Sequence, residues 1–494
     1  MPKTHEQPIN IPEERVREQK LADLRKILNP FPSKTFRSQT IATVLARFDV
    51  LKKRQKRVSI AGRVMAVRSH GGAVFYDVED GTGKMQVFLK KDLLDPTLFE
   101  LINNLIERGD LVEVRGICTL TKRGEKTILA NTATLLSKAL LPLPEKWHGL
   151  TDTEARFRKR HLDLIANPET RNHFIIRARV IRAIREFLDR HNFLEVETPI
   201  LQIMAGGASA RPFKTHHHAL DMDLYLRVAP ELFLKRLVVG GFERVYEIAR
   251  CFRNEGMDYS HNPEFTQVEF YYAYQDYEGL MKFTEQLLEH VLMKTMDTLE
   301  ISYEGKPLSF RAPFPRKTFH DAVLAYAGVD LDLTRNQKDL FAEAVKLNVD
   351  VDASMHWGKL ADEIFKTCVR PQLISPTFII DYPIELSPLA KKKESDPRYV
   401  ERFQLIAAGV FELCNAFSEL NDPEDQEQRF QAQDKLARAG DKEAQPYDRD
   451  YVEALKTGMP PTAGLGMGID RFVMLLTNQH SIKEVLLFPT MRPE

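Results

Sequence analysis

Apolar positions along the chain change period twice. Over residues 13–28, Val16, Leu21, Leu24, Ile27 and Leu28 recur at helical spacing among charges, and Asn29-Pro30 ends the run. That pattern predicts an amphipathic helix. Residues 1–12 are polar and hold three prolines, so they are expected to be a mobile tail. From 58 to 137 the period falls to two. "VSIAGRVMAV", "AVFYDVED", "MQVFLKK" and "LVEVRGICTLTKRGEKTILANTATLL" alternate apolar and polar residues, and "DGTGK" (80–84) is a hairpin signal.

About five short strands with a helical insert near 97–108 predict a small Greek-key barrel of the OB type. "LLPLPEKWHGL" (140–150) reads as a Pro-containing linker. Beyond it the segments lengthen. Ile176, Val180, Ile181, Ile184, Phe187 and Leu188 mark a long helix, and "FLEVETPIL" follows as a strand closed by Pro199. "PELFLKRLVVGG" (230–241) has Pro at the start of a helix and Gly at its end. The fold class is therefore α+β, in four stretches: a tail and helix over 1–54, the barrel over 55–145, a linker over 146–170, and a large domain over 171–494. Helical patterns alternating with polar loops at about 300–370 read as an insertion in that domain.

Two further runs carry chemistry. Residues 244–255 and 263–273 alternate as a hairpin, joined by 256–262. One face then holds Arg253, Glu255, Phe265, Glu269 and Tyr271, while Tyr246, Ile248, Val268 and Phe270 point the other way. A solvated face with cross-strand ion pairs is the plain alternative, but such a face rarely carries Phe and Tyr. "PPTAGLGMGIDRFVMLL" brings Gly464, Gly466 and Gly468, which let backbone approach a ligand closely. Asp470 is expected as the following helix's N-cap, and Arg471 falls in the first turn, against the helix dipole. The run is not GxGxxG, and the chain has no GxxxxGK[ST] loop.

Composition changes little. Lys+Arg and Asp+Glu are both 70, so any nucleic-acid contact must rest on local patches. "KKRQKR" (52–57) and "RFRKRH" (156–161) are such runs, though most basic runs are solvated faces. Cys118, Cys251, Cys368 and Cys414 form no CxxC pair, so neither a zinc site nor a disulfide frame is suggested. Three consecutive residues, His216–His218, cannot all converge on one ion from a regular strand or helix. With no apolar leader and no membrane-length run, a cytoplasmic protein without membrane contact is expected.

These motifs carry a resemblance. "FRNEG…HNPEF" resembles motif 2 of the class II aminoacyl-tRNA synthetases, "GLGMGIDR" resembles motif 3, and the helix ending in "FLEVETPIL" resembles motif 1. "GGASARPFKTHHHALDMDLYLRVAPELFLKRLVVGGFERVYEI" and "NAFSELNDPEDQ" resemble the bacterial type of lysyl-tRNA synthetase, over about 55–494. The resemblance implies an antiparallel catalytic sheet flanked by helices, a homodimer, ATP with Mg²⁺, and L-lysine and tRNA(Lys) as partners. Arg253 and Arg471 match the catalytic arginines. Arg253, Glu255, His261, Phe265, Glu412 and Arg471 match ATP contacts, with Phe265 stacking on adenine. Gly207, Glu231, Glu269, Tyr271, Asn415, Phe417 and Glu419 match the lysine site.

Glu412 and Glu419 resemble the magnesium carboxylates. Seven apart, they would point to opposite faces of an unbroken strand, so a bulge or bend is expected between them. Phe75 and Gln86 match anticodon contacts on the barrel. Two other readings share the fold: a paralogue that attaches lysine to a translation factor, and a degenerate RNA-binding protein. The barrel speaks against the first, and the intact motif residues speak against the second.

Overall fold

A computed structural model describes residues 12–144, 150–208, 210–438 and 446–493. The chain divides into two compact units, Met1–Leu150 and Thr151–Glu494. Most of the tail expected over 1–12, and residues 145–149 of the expected linker, lie outside the described residues.

In the first unit, alternation closes a barrel. Its strands are Arg57–His70, Ala73–Asp80, Gly83–Lys90, Leu111–Leu120 and Lys126–Ser137, and around the barrel they run first, second, third, fifth, fourth. The long first strand shifts register between Val64 and Ala66, which lets it pair with both the second and fourth strands. Val58, Ile60, Val74, Tyr76, Val87, Val114 and Ile128 fill the interior. The insert expected near 97–108 is the helix Pro96–Leu105, capped by Asp95.

Residues 13–53 pack onto the barrel rather than standing apart from it. Helices Glu13–Ile27, Ile41–Ala46 and Phe48–Lys53 contribute Leu24, Ile41, Val44 and Phe48 to the same core. Val16 and Ile27, expected on the apolar face, are exposed.

In the second unit, eight strands form one sheet. In spatial order they are Arg316–Thr318, Thr377–Pro383, Tyr399–Ala407, Phe411–Ser418, Thr462–Gly468, Glu264–Ala273, Arg244–Phe252 and Leu194–Glu195. The six inner strands are antiparallel to their neighbours, and only the two edge pairings are parallel. One face packs on helices Pro168–Arg190, Tyr277–Met296 and Ile469–Leu476 through Val180, Ile184, Val268, Phe270, Leu288 and Phe472. The opposite face is left for a cleft.

Three expectations change here. Residues 151–170 are not linker: Thr153–Arg158 and Arg160–Ala166 are helical, and Arg160 and Asp163 are fully buried as an ion pair. "FLEVETPIL" pairs only through Leu194–Glu195 and Leu201–Gln202. Of the region read as an insertion, Arg316–Thr318 belongs to the main sheet. Helices Phe319–Ala327, Gln337–Lys346 and Trp357–Ile364 and the π-turn Phe365–Val369 close a second core around Phe319, Leu340, Leu360 and Phe365, shared with Ile379, Tyr382 and Val400 of the sheet.

Candidate active site

The opposite face of the sheet, between the side chains that cover its two ends, holds a cleft of about 580 Å³. Its floor is glycine for a steric reason. Gly464, Gly466 and Gly468 pair with Tyr271, Glu269 and Gln267 of the neighbouring strand. A Cβ on Gly464 would stand 2.2 Å from Glu419 Oε1 and 2.4 Å from the Tyr271 ring, whereas one on Gly466 would meet nothing within 4 Å. The first glycine admits the walls, and the second leaves the floor open.

Two arginines stand at one end. Arg253 follows directly on the strand ending at Phe252, with its backbone N–H donating to Pro263 O at 2.9 Å. Its guanidinium carbon lies 4.9 Å from the Phe265 ring centroid, and its Nε is buried without a hydrogen-bond partner. Arg471 is placed by its neighbour. Asp470 is not the N-cap, a position taken by Gly468, but a first-turn residue. Its Oδ2 accepts from Thr266 N at 2.7 Å, and its Oδ1 ion-pairs with Arg177, clamping the helix start to the hairpin. Arg471 Nη2 lies 3.0 Å from His261 Nε2, and Asp258 holds the other ring nitrogen at 2.8 Å. Burial lowers the Arg471 pKa, as expected for a guanidinium with little carboxylate around it. Glu255, on the exposed loop after Arg253, also lines the cleft.

Carboxylates gather at the other end. Glu231, Glu269 and Glu419 are all buried. Glu269 accepts from Tyr271 OH at 2.6 Å and from Gln267 Nε2 at 2.8 Å. Burial, reinforced by the nearby charge of Glu231, pushes its carboxyl up to about 8. Burial also raises Glu231 and Glu419, against the pull of Lys235. Phe417 and Asn415 come from the adjacent strand, and Asn415 is oriented by Arg402 Nε at 2.8 Å. Gly207 sits beside Glu231 at φ +89°, where a Cβ would lie 2.9 Å from the Glu231 Cβ.

Glu412 joins the cleft through a bulge. Leu405 pairs with Cys414 and Ile406 with Glu412, so Leu413 is the extra residue, and Glu412 lines the cleft with Asn415 and Phe417. The expected break in the strand is therefore present. Seven residues at roughly 3.3 Å each put Glu412 and Glu419 roughly 23 Å apart along an extended chain, so they are not ligands of one common ion. One octahedral ion needs its ligands at about 2.1 Å, which these two carboxylates cannot both supply. Among the described residues no cluster of three or more His, Cys, Asp or Glu is arranged for a metal. Glu412 lies at the arginine end, near Arg471, and Glu419 ion-pairs with Lys235.

On the barrel, Phe75 is half-buried on the outer surface and stacks on Phe88, with centroids 4.5 Å apart and planes 3° apart. Gln86 accepts from Thr127 Oγ1 at 2.8 Å and donates to Glu125 at 2.7 Å. His216 contacts Asp223, and His217 accepts from Leu220 N, so the histidine run supports a local turn.

Sequence reasoning missed three residues of interest. Phe88 was available from the hairpin register, since Asp80 opposite Gly83 puts Phe75 opposite Phe88. Lys235 follows Glu231 by one helical turn, and that spacing was its only signal. Arg370, which lines the cleft just beyond the π-turn with its Nε unpartnered, gave none.

Comparison with known proteins fits this geometry. The family described as tRNA synthetases class II (D, K and N) matches residues 152–492, and an OB-fold nucleic acid binding domain matches 58–136. A lysine–tRNA ligase of Carboxydothermus hydrogenoformans is 50% identical over 480 residues, covering 97% of this chain and 98% of that protein. Lysine–tRNA ligases of Pelotomaculum thermopropionicum and Moorella thermoacetica are each 48% identical, covering 97% of this chain and 94% and 97% of their own lengths.

Proposed function

Because the chain belongs to the class II aminoacyl-tRNA synthetases, among the lysine–tRNA ligases, we propose that its cleft holds lysine and ATP end to end, with the carboxylates taking the amino acid and the arginines the nucleotide. The overall reaction is ATP-dependent, AMP-forming ligation of lysine to tRNA. A lysine carboxylate oxygen bonds to the α-phosphorus as the bond to the β-phosphate oxygen breaks, releasing pyrophosphate. The 3′-terminal hydroxyl of tRNA(Lys) then attacks the acyl carbon and AMP leaves. Such chemistry is mainly positioning and charge neutralisation.

The observation that carries the residue assignment is the polarity of the cleft: three buried carboxylates at one end and, at the other, two guanidiniums without carboxylate partners among the described residues. Arg253 bridges the α-phosphate and the lysine carboxylate, a task for a planar fork of donors. Phe265 and Arg471 sandwich adenine, Glu255 accepts from its amino group, and His261 meets the triphosphate tail. Glu231, Glu269 and Glu419 face the ammonium groups of lysine, with Tyr271, Phe417 and Asn415 around its stem and Gly207 at its backbone.

Glu412 is a hard oxygen donor at the phosphate end, which fits Mg²⁺ held by one carboxylate together with substrate phosphates. When bound, the ion would neutralise phosphate charge. Phe75 and Gln86 read the anticodon from the barrel, where an aromatic offers a base a stacking face.

The enzyme works as a cytoplasmic homodimer. In support, Leu194, Ile200, Leu201, Ile203 and Met204 form an exposed apolar run, with Ile203 at 72% exposure. No helix among the described residues is long and apolar enough to cross a membrane.

Lysine-dependent ATP–pyrophosphate exchange, followed by charging of tRNA(Lys) against a protein acceptor, tests the reading. Arg471→Ala should weaken ATP use at least about tenfold and leave lysine affinity near wild type, the scale of one charged contact. Unchanged ATP affinity and turnover would reject the motif 3 assignment.

A further inference from the structure

The helix Glu231–Val239 carries Lys235 one turn after Glu231, and its side chain is completely buried. Its Nζ lies 2.5 Å from Glu231 Oε1 and in ion-pair contact with Glu419 Oε2. The ring of Phe417 stands 5.2 Å away, and those of Tyr271 and Tyr451 stand 5.9 Å away. The groups assigned to the substrate thus already hold an ammonium supplied by the protein. A buried charge is costly unless paired, and here two carboxylates and three ring faces compensate it. Neither buried oxygen of Glu419 has a hydrogen-bond partner: Oε2 has only the ion-pair contact with Lys235, and Oε1, with no cation beside it, lies against the floor at Gly464.

We propose that Lys235 is a specificity-determining residue of the amino-acid pocket: its ammonium cancels one carboxylate charge and pins Glu419 so that one oxygen faces the substrate ammonium. The proposal rests on the reading that this pocket takes the lysine side chain. The charged and titratable groups around Lys235 come from five elements. Glu231 shares its helix, and Glu419 follows the Phe411–Ser418 strand. Glu269 and Tyr271 come from the hairpin, Tyr451 from the helix Arg449–Thr457, and Arg402 acts on Glu231 from the strand Tyr399–Ala407. Without Lys235, Glu231 and Glu419 would form an uncompensated pair that takes up protons or a second cation. The pocket would then lose its match to a single ammonium at the end of a four-carbon stem.

Calorimetric titration of the full-length chain with L-lysine, and separately with a non-hydrolysable ATP analogue, tests this. Lys235→Met, close in length and uncharged, should weaken lysine binding roughly ten- to a hundredfold, the range for a charged hydrogen-bonded contact, with ATP-analogue affinity held within about twofold. Lys235→Ala leaves room for a small amine. Added propylammonium should restore its lysine affinity, and propanol, of similar size without charge, should not.

The pocket reading has its own control. If the wild type binds no lysine, or Glu419→Gln binds it as tightly as the wild type, that reading falls. If the control holds but Lys235→Met binds lysine within about twofold of wild type, or propanol rescues as well as propylammonium, the inference about Lys235 is overturned. Failure of both variants to fold, unrelieved by propylammonium, also overturns it and leaves Lys235 a packing residue.

Discussion

In the proposed lysine pocket, Glu269 is the carboxyl whose ionisation most directly couples proton and substrate. Burial and Glu231 push it up to about 8, and its two oxygens are held by Tyr271 and Gln267. A cation binds the ionised form. On the proposed placement of lysine, the substrate would displace a proton held there below about 8. The raised carboxyls of Glu231 and Glu419 act in the same direction. Lysine affinity should therefore climb with pH by up to about tenfold per unit and level off once Glu269 is ionised. Calorimetry in two buffers of different ionisation enthalpy should show proton release on binding at about pH 6–7 that shrinks toward about pH 8. Proton uptake on binding, or an affinity flat across that range, would contradict the assignment.

At the scale of elements, the bulge at Leu413 carries the argument. It turns Glu412 into the cleft while Asn415, Phe417 and Glu419 keep their own register. Deleting Leu413 should restore regular pairing and turn Glu412 away. Affinity for the magnesium–ATP complex should then fall about as far as in Glu412→Ala, while lysine affinity stays close to wild type. Intact ATP affinity in the deletion variant would show that the bulge positions nothing.

The same strand shows how far sequence reading reaches. Alternation around Arg253 and Phe265 was legible because the hairpin is regular and its inner residues are strongly apolar. The break before Glu419 was legible from parity. The distance along the strand was not weighed, so the two acids were assigned to magnesium without a number of ions. Lys235 stayed hidden because a lysine four residues after a glutamate usually marks a solvated helix pair. Helices of six and seven residues at 153–166 are too short to display a period, so they passed for linker. Val16 and Ile27 fit the helical pattern but face solvent, because the helix buries only Arg17, Leu21 and Leu24.

At the scale of the molecule, the proposed function divides the work between two units, with tRNA reading on the barrel and chemistry on the sheet. Phe75→Ala, which removes half of the Phe75–Phe88 stack, should raise the KM for tRNA roughly five- to a hundredfold, from about 1–3 kcal/mol of base stacking. Lysine-dependent pyrophosphate exchange without tRNA should be unchanged. Lost charging accompanied by unfolding of the barrel would instead mark Phe75 as a packing residue.

The most direct measurement of the whole account is a crystal structure of the chain with a non-hydrolysable lysyl-adenylate analogue. The ε-ammonium is expected within about 3 Å of Glu419 Oε1, adenine between Phe265 and Arg471, and Arg253 on the linkage that replaces the α-phosphate. An analogue lying with its adenine at the carboxylate end, or an ε-ammonium that touches none of Glu231, Glu269 and Glu419, would contradict it.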